Sequence, residues 1–191
     1  MRKNLIAAAM IACVLAGAGL VAAGDDYKLD PVHSGVNFQI RHLDISWVPG
    51  RFNDFSGEFT VDPAEPSKSS FKMTIQADSL DTNNKLRDAH LKSPEYLNTK
   101  QYPKMEFVST SVEPMEGGYR VTGKLDFHGE VKPVTFELKG GKTAEMKGQH
   151  RIGFTTRFKV KRTDFGVAAK VPAQMLGDDV WMTISFEGIK K

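Results

Sequence analysis

Apolar and polar residues alternate in short runs over most of the chain, with turn residues between the runs. Such alternation is typical of β-strands that bury one face and leave the other face in water. About eight runs of this kind follow one another, and no helical crossover separates them. The pattern therefore predicts an all-β antiparallel domain, built either as a barrel or as a sandwich.

The apolar faces of these runs are rich in phenylalanine. The inward positions that are candidates for ligand binding are Val36, Phe38, Ile40, Phe59, Ile75, Phe107, Leu125, Phe127, Phe136, Phe154, Phe158, Met182, Ile184 and Phe186. An eight-stranded barrel is close to the size at which side chains fill the interior or leave room for one small ligand. Periodicity alone favours the filled core and leaves the lined cavity open.

An outer-membrane barrel shows the same period, but its apolar faces point outward to lipid. In this chain the polar faces carry many lysines and arginines, which are costly in lipid. We therefore expect the apolar faces to point inward in a soluble protein.

Residues 80–110 interrupt the alternation. Turn-forming residues at the start of this stretch precede Leu86, Ala89 and His90, whose i, i+3, i+4 spacing places them on one helical face. Because a proline disfavours helical geometry in the residue before it, Pro94 should end this helix and begin a second short one. We expect this insert to close or line one mouth of the barrel, with Leu86 and His90 turned toward it.

The first 23 residues have the composition of a secretory signal peptide. A basic pair, Arg2 and Lys3, precedes an apolar, alanine-rich segment, and the small residues Val21 and Ala23 fit a cleavage site. We therefore expect a signal peptide at 1–23 and a mature domain at 24–191, located in the periplasm or secreted. The alternative is an uncleaved membrane anchor, for which the apolar run is short.

The single cysteine, Cys13, lies in this leader, so the mature chain has no thiol for a disulfide, a metal site or nucleophilic catalysis. Removal of the leader lowers the formal net charge from +3 to +1, because it removes two of the 26 Lys and Arg residues and none of the 23 Asp and Glu residues. This balance gives no reason to expect a nucleic-acid partner.

The sequence lacks the short motifs that mark catalytic, metal or cofactor sites. No two of the five histidines have the spacing of a metal-binding pair, and no serine elbow or glycine-rich phosphate loop is present. Arg87, Asp88 and His90 resemble an acid–base cluster, but on a helix the first two point away from the histidine. We therefore predict no catalytic residue, no metal and no cofactor.

Six motifs follow one another in the mature chain. They are Leu29-Asp30-Pro31-x-His33-Ser34-x-Val36-x-Phe38-x-Ile40-x-His42, Gly50-Arg51-Phe52 with Phe55-Ser56-Gly57, Arg87-Asp88-x-His90-Leu91-Lys92-Ser93, Tyr102-Pro103-x-Met105-x-Phe107-x-Ser109-Thr110, Gly123-x-Leu125-x-Phe127-x-Gly129 with Lys132-Pro133-Val134, and Asp164-Phe165-Gly166. Together they resemble the bacterial YceI-like, polyisoprenoid-binding family, from about Tyr27 to Glu187.

This resemblance implies an antiparallel eight-stranded lipocalin-like barrel with a short helical insert. It also implies a periplasmic or secreted binding protein, without catalytic residues, whose barrel interior holds a polyisoprenoid lipid, an isoprenoid quinone or a fatty amphiphile. Such a protein would serve storage, transport or stress protection, and a homodimer is left open. The resemblance thus favours the lined cavity over the filled core.

Three residues of the insert are candidates for meeting an anionic head group at the barrel mouth: Arg87, His90 and Lys92. The alternative is that Arg87 and Asp88 tie the helix to the barrel rim. Two other functions also remain open at this point. One is a periplasmic enzyme that acts on a lipid or quinone, and the other is a filled barrel that acts as the partner of a membrane protein.

Overall fold

The computed structural model describes residues 24–191, so the predicted signal peptide and Cys13 lie outside the described residues. The described chain forms β1 (Asp25–His42), β2 (Ser46–Phe52), β3 (Phe55–Val61), β4 (Ser70–Gln76), β5 (Leu80–Asp81), β6 (Lys104–Met115), β7 (Gly118–Phe127), β8 (Glu130–Met146), β9 (Gln149–Lys161) and β10 (Leu176–Lys190). It also forms one α-helix, α1 (Lys85–Leu91), and 3-10 turns at Pro66–Lys68, Ala77–Ser79 and Arg162–Phe165. Within residues 24–191, no helix is long and apolar enough to cross a membrane.

The strands form a closed antiparallel barrel. β10 pairs with β1, and this pairing closes the sheet. β2 and β3 lie end to end along β1, and β5 continues the line of β4 beside β2. The ten segments therefore make eight barrel strands, and the prediction of an eight-stranded lipocalin-like barrel with a short helical insert is confirmed.

A bulge divides β1 near the start of the strand. The register of β1 against β10 shifts between Asp30 and Gly35. Asp30 stabilises the bulge, because its Oδ1 accepts a hydrogen bond from Val32 N at 3.0 Å and its carbonyl oxygen accepts one from Ser34 Oγ at 2.6 Å. Ser34 Oγ also accepts a bond from Glu187 N at 3.1 Å, which ties the bulge to β10.

One end of the barrel is closed by aromatic side chains. Tyr27 stacks on Phe59 with ring centroids 5.2 Å apart, and Phe59 contacts Phe71, Phe154 and Phe186 at 5.3–6.1 Å. All five side chains are 7% exposed or less, so this end is a packed core. Offset and edge-to-face aromatic contacts of this kind add to the free energy gained from burial alone.

The opposite end is built from four connections, and we call it the mouth rim. These are the β1–β2 turn, the helical insert at 82–103, the β7–β8 turn and the loop at 166–175, which we call the late loop. Inward side chains toward this end, such as Phe38 and Met182, keep part of their surface exposed. The barrel therefore has a closed end and a more open end.

The helix of the insert starts and stops close to the predicted residues. Its N-cap is Asn84, whose side chain accepts a hydrogen bond from Arg87 N at 3.0 Å, and it ends at Leu91. The expected second helix is wrong, because residues 93–101 form turns. Leu97 N donates to the Leu91 carbonyl oxygen at 3.0 Å, and this bond bends the chain back against α1.

Candidate functional site

The barrel encloses an apolar cavity of about 180 Å³. The cavity is lined by residues of every long strand together with the insert and the late loop: Leu29, Phe38, Ile40, Phe52, Phe59, Phe71, Lys72, Met73, Ile75, Leu80, Leu91, Tyr96, Leu97, Met105, Phe107, Leu125, Phe127, Val134, Leu138, Thr156, Phe158, Val160, Arg162, Val167, Leu176, Val180, Met182, Ile184 and Phe186. In another protein, a cavity of about 150 Å³ with similar lining stays dry and accepts an apolar guest. The barrel interior therefore contains a lined cavity, and the filled core that periodicity alone favours is wrong.

Eleven of the fourteen interior residues named from the alternation lie in the cavity wall. The other three pack inside the barrel without lining the cavity. Val36 and Phe154 are 1% and 2% exposed and belong to the packed core. Phe136 is covered by other rings, since its centroid lies 4.8 Å from that of Phe158 and 5.2 Å from that of Phe107.

The alternation missed the part of the wall that comes from outside the regular strands. Leu91, Tyr96 and Leu97 of the insert line the cavity, and so does Val167 of the late loop. The apolar residues of the insert were a usable signal for this. The late loop offers none, because its position over the barrel depends on contacts that are distant in sequence.

Leu86 and His90 do not turn toward the cavity, so that expectation is wrong. Leu86 is 86% exposed, and the His90 side chain is 59% exposed with its ring against Tyr96, centroids 4.5 Å apart. The helix is rotated so that Leu91 meets the interior. A seven-residue helix has too few apolar positions for spacing to decide which face is buried.

Arg87 is engaged by Thr82, at the start of the insert. Its Nε donates to Thr82 Oγ1 and its Nη2 donates to the Thr82 carbonyl oxygen, both at 2.7 Å. Asp88 Oδ1 accepts a hydrogen bond from Thr82 N at 2.9 Å. This geometry is that of a tether between α1 and the end of β5.

Lys92 and His90, the other head-group candidates, also lie outside the cavity wall. Lys92 Nζ is 3.8 Å from Asp78 Oδ1, and His90 Nε2 is 4.0 Å from Glu95 Oε2. Both contacts are at the surface, where an ion pair stabilises little. The three head-group candidates are therefore not brought together around the opening of the cavity.

Arg162 is a cavity residue that the sequence did not single out. It is 2% exposed, and all five of its N–H groups donate to backbone carbonyl oxygens of the late loop and β10: Val167, Ala168, Val171, Leu176 and Gly177. Within residues 24–191, no carboxylate lies within 4 Å of its guanidinium. Arg162 therefore holds the late loop over the barrel and has no N–H left for a ligand.

Two strand glycines make room for rings in the cavity wall. A Cβ on Gly50 would overlap the ring of Phe38, and a Cβ on Gly123 would overlap the ring of Phe107. The two rings therefore lie close to the backbone of the neighbouring strand. Without these glycines the rings would be displaced into the cavity.

A charged cluster lies on the outer face of the barrel beside the β1 bulge. Arg151 Nη1 is 2.6 Å from Asp30 Oδ2 and 3.0 Å from Glu187 Oε2, and His33 Nδ1 is 2.7 Å from Asp30 Oδ2. Asp30, His33 and Glu187 could also group around a metal ion. The Arg151 guanidinium lies among these three side chains, so the cation that the cluster holds is a side chain of the protein itself.

The cluster changes the acidity of its central carboxyl group. Hydrogen bonds from His33 and Arg151 lower the pKa of Asp30 from 3.8 to about 2. The same carboxylate raises the pKa of Arg151. Asp30 is 7% exposed, so the pair is shielded from water and salt.

A closed antiparallel barrel with a plugged end and an apolar interior cavity defines the lipocalin-like class of small barrels. The chain belongs to the YceI-like family, because the model of the YceI-like domain matches residues 27–188. A UPF0312 protein of Serratia proteamaculans is 41% identical over 183 residues, which cover 92% of this chain and 94% of that protein. The resemblance stated from the six motifs is thus confirmed.

Solved structures agree with the fold. The crystal structure of the Campylobacter jejuni YceI protein is 33% identical, covers 79% of this chain and 90% of its own, and superimposes with a TM-score of 0.72. A polyisoprenoid binding domain from Saccharophagus degradans, implicated in plant cell wall breakdown, covers 86% of this chain and 98% of its own with a TM-score of 0.65. At 16% identity this second likeness shows the fold alone.

Proposed function

We propose that this protein is a periplasmic or secreted binding protein that holds a polyisoprenoid or a similar long-chain amphiphilic lipid inside the barrel. The observation that carries the proposal is the cavity, whose wall is apolar from the end closed by aromatic side chains to the mouth rim. A ligand that fits such a wall must be apolar over most of its length. The family resemblance favours an isoprenoid chain.

The energetics support a long ligand over a small one. Moving 100 Å² of apolar ligand surface from water into the cavity contributes about 2.5 kcal/mol. The loss of free motion on binding opposes this gain, as does the ordering of a flexible chain. Several prenyl units in the cavity are needed before the first term clearly exceeds the second.

Binding without catalysis is the better proposal for this cavity. Its wall has four residues with side-chain polar groups, Lys72, Tyr96, Thr156 and Arg162. None of the hydrogen bonds within residues 24–191 pairs one of them with a histidine or carboxylate base. A nucleophile activated by an adjacent base is therefore not what this wall offers.

Export to the periplasm is part of the proposal and is supported by the leader at 1–23. The mature protein should then begin at Gly24. N-terminal sequencing of the protein recovered from the periplasm tests this, and a chain that begins at Met1 contradicts it.

The ligand is tested by mass spectrometry of lipids extracted from the purified mature protein. We expect one class of prenyl lipid in near-stoichiometric amount. Phe158→Asp should remove it, because an unpaired carboxylate in the apolar wall costs several kcal/mol. The matched control is Lys124→Asp, on an exposed outward position of β7, which should keep the lipid.

Two results would contradict the proposal. One is wild-type protein without lipid that also fails to take up a prenyl lipid added in detergent. The other is a folded Phe158→Asp variant that binds as much lipid as the wild type.

A further inference from the structure

Thr156 is a polar residue in the wall of the apolar cavity. It lies on β9 and pairs with Leu138 on β8 and Ile184 on β10, both of which also line the cavity. Phe154 and Phe158 are its inward neighbours along β9. The residue is 4% exposed, so its hydroxyl group is enclosed by apolar side chains.

The Thr156 hydroxyl has no hydrogen-bond partner within residues 24–191. The adjacent Thr155 points outward, and its Oγ1 lies 3.0 Å from Ser185 Oγ. A buried hydroxyl group without a partner destabilises a fold, and valine has the same shape without this cost. A threonine at this position therefore points to a hydrogen bond that forms only when a ligand is bound.

The other polar groups of the wall cannot supply an interior hydrogen bond. Arg162 donates all five of its N–H groups to backbone carbonyl oxygens. Tyr96 is half-buried, but it belongs to the insert at the mouth rim and not to the barrel strands. Lys72 is exposed on β4, between the buried Phe71 and the inward Met73. Thr156 is left as the group available inside.

The hydroxyl group can reach the cavity without enlarging the side chain. Oγ1 is itself buried, although Thr156 is one of the residues that line the cavity. A rotation of about 120° about χ1 moves Oγ1 to another staggered position and places the methyl group against the wall. The two groups are similar in size, so the rotation keeps the packing.

We infer that Thr156 is the interior hydrogen-bond anchor of the bound lipid, and that the ligand carries a neutral carbonyl or hydroxyl oxygen at the end that enters the barrel first. Thr156 pairs with Ile184 on β10, and Val180, four residues away on the same strand, lies near the mouth rim. At the rise of a β-strand, four residues place Thr156 about 13 Å below the rim. An isoprenoid quinone or a prenol bound polar end first places its oxygen at this depth. The inference rests on the proposed function, since it requires a lipid in the cavity.

The chemistry of the site selects a neutral oxygen over a charged one. A buried phosphate needs several charge-assisted hydrogen bonds, and one hydroxyl group supplies a single neutral bond. A prenyl phosphate must therefore keep its head group at the mouth rim with its tail inside. Thr156 has no role for that ligand or for a plain hydrocarbon.

The test compares three probes with matched prenyl chains: squalene, a ubiquinone and a prenyl diphosphate. Each is titrated against N-phenyl-1-naphthylamine bound to the delipidated mature protein, and its affinity is obtained by displacement. For Thr156→Val we expect about tenfold weaker ubiquinone binding, with squalene and diphosphate affinities within twofold of the wild type. Thr156→Ser should restore ubiquinone binding, because it keeps the hydroxyl group.

The Tm of the ligand-free protein is a second measurement, and here Thr156→Val should stabilise the protein although it weakens ubiquinone binding. Thr156→Val should raise the Tm of the ligand-free protein by about 2–4 °C, because it removes an unpaired buried hydroxyl group. The matched control is Thr155→Val, which removes an outward hydroxyl group and should leave ubiquinone affinity unchanged.

The outcomes separate this inference from the proposed function. If squalene binds but Thr156→Val leaves ubiquinone affinity within twofold, the inference is overturned and the proposed function stands. If no probe binds the wild type, both are overturned.

Discussion

Replacing Asp30 with Asn should remove a pH-dependent part of the stability of the barrel. The carboxylate accepts hydrogen bonds from the Arg151 guanidinium at 2.6 Å and from Val32 N at 3.0 Å, and it lies 2.7 Å from His33 Nδ1. Asn has the same shape and can still accept the Val32 bond. The substitution therefore isolates the charge that Asp30 contributes beside the bulge of β1.

The size of the effect follows from the pKa of Asp30. Folding lowers this pKa from 3.8 to about 2, so the ionised form stabilises the native state. The stabilisation is complete above the unfolded-state pKa and is lost as the pH falls through the folded-state pKa. Linkage gives a loss of about 1 kcal/mol by pH 3 and about 2 kcal/mol by pH 2.

The measurement is urea unfolding of the wild type and Asp30→Asn at intervals between pH 7 and pH 3. At pH 7 the variant should be less stable by at least about 2 kcal/mol, because it weakens a buried charge pair. Between pH 7 and pH 3 this difference should shrink by about 1 kcal/mol. Asp44→Asn is the control, since the Asp44 side chain is 81% exposed, and its difference from the wild type should stay small.

A difference in stability between the wild type and Asp30→Asn that stays constant from pH 7 to pH 3 would contradict this prediction. It would mean that the Asp30 carboxyl group has the same pKa in the folded and unfolded chains. The contacts around Arg151 would then stabilise the fold through packing, with no contribution from the charge of Asp30.

Two further predictions follow from the mouth rim and the cavity wall. Arg87→Gln should lower the Tm and weaken binding of a prenyl diphosphate and a ubiquinone by the same factor, because Arg87 bonds to Thr82. Lys85→Gln is the control. A loss of affinity confined to the diphosphate would instead favour the head-group role of Arg87. Gly123→Ala should destabilise the barrel by about 1–3 kcal/mol, because its Cβ overlaps the Phe107 ring; thermal unfolding measures this. Gly153→Ala is the matched control, with its nearest contact at 3.9 Å, and equal Tm values for the two variants would contradict the overlap.

Alternation was sufficient to predict the barrel strands and most of their inward faces. The period of a strand is two residues, and a shift of one residue would turn every apolar side chain outward. Phe158 and Ile184 therefore could be assigned to the interior from the sequence alone. The bulge at Asp30 was less visible, because it depends on bonds to Arg151 and Glu187, which are more than 100 residues away.

The orientation of side chains at the mouth rim could not be predicted from the sequence. Proline geometry and capping were sufficient to place the ends of α1, but the rotation of the helix was set by contacts with the barrel. Leu86 is exposed and Leu91 faces the cavity for that reason. The role of Arg162 was also hidden, because its five acceptor carbonyl groups come together only in the folded loop.

The class of the fold, the inward faces of the strands and the family could all be predicted from the sequence, since each depends on local periodicity or on ordered motifs. The tertiary structure decided whether the interior is filled or open, because that depends on how side chains from eight strands meet around one axis. It also decided that Thr156 lacks a partner while Thr155 has one. The two threonines are adjacent in sequence, and only the neighbours supplied by β8 and β10 make their chemistry different.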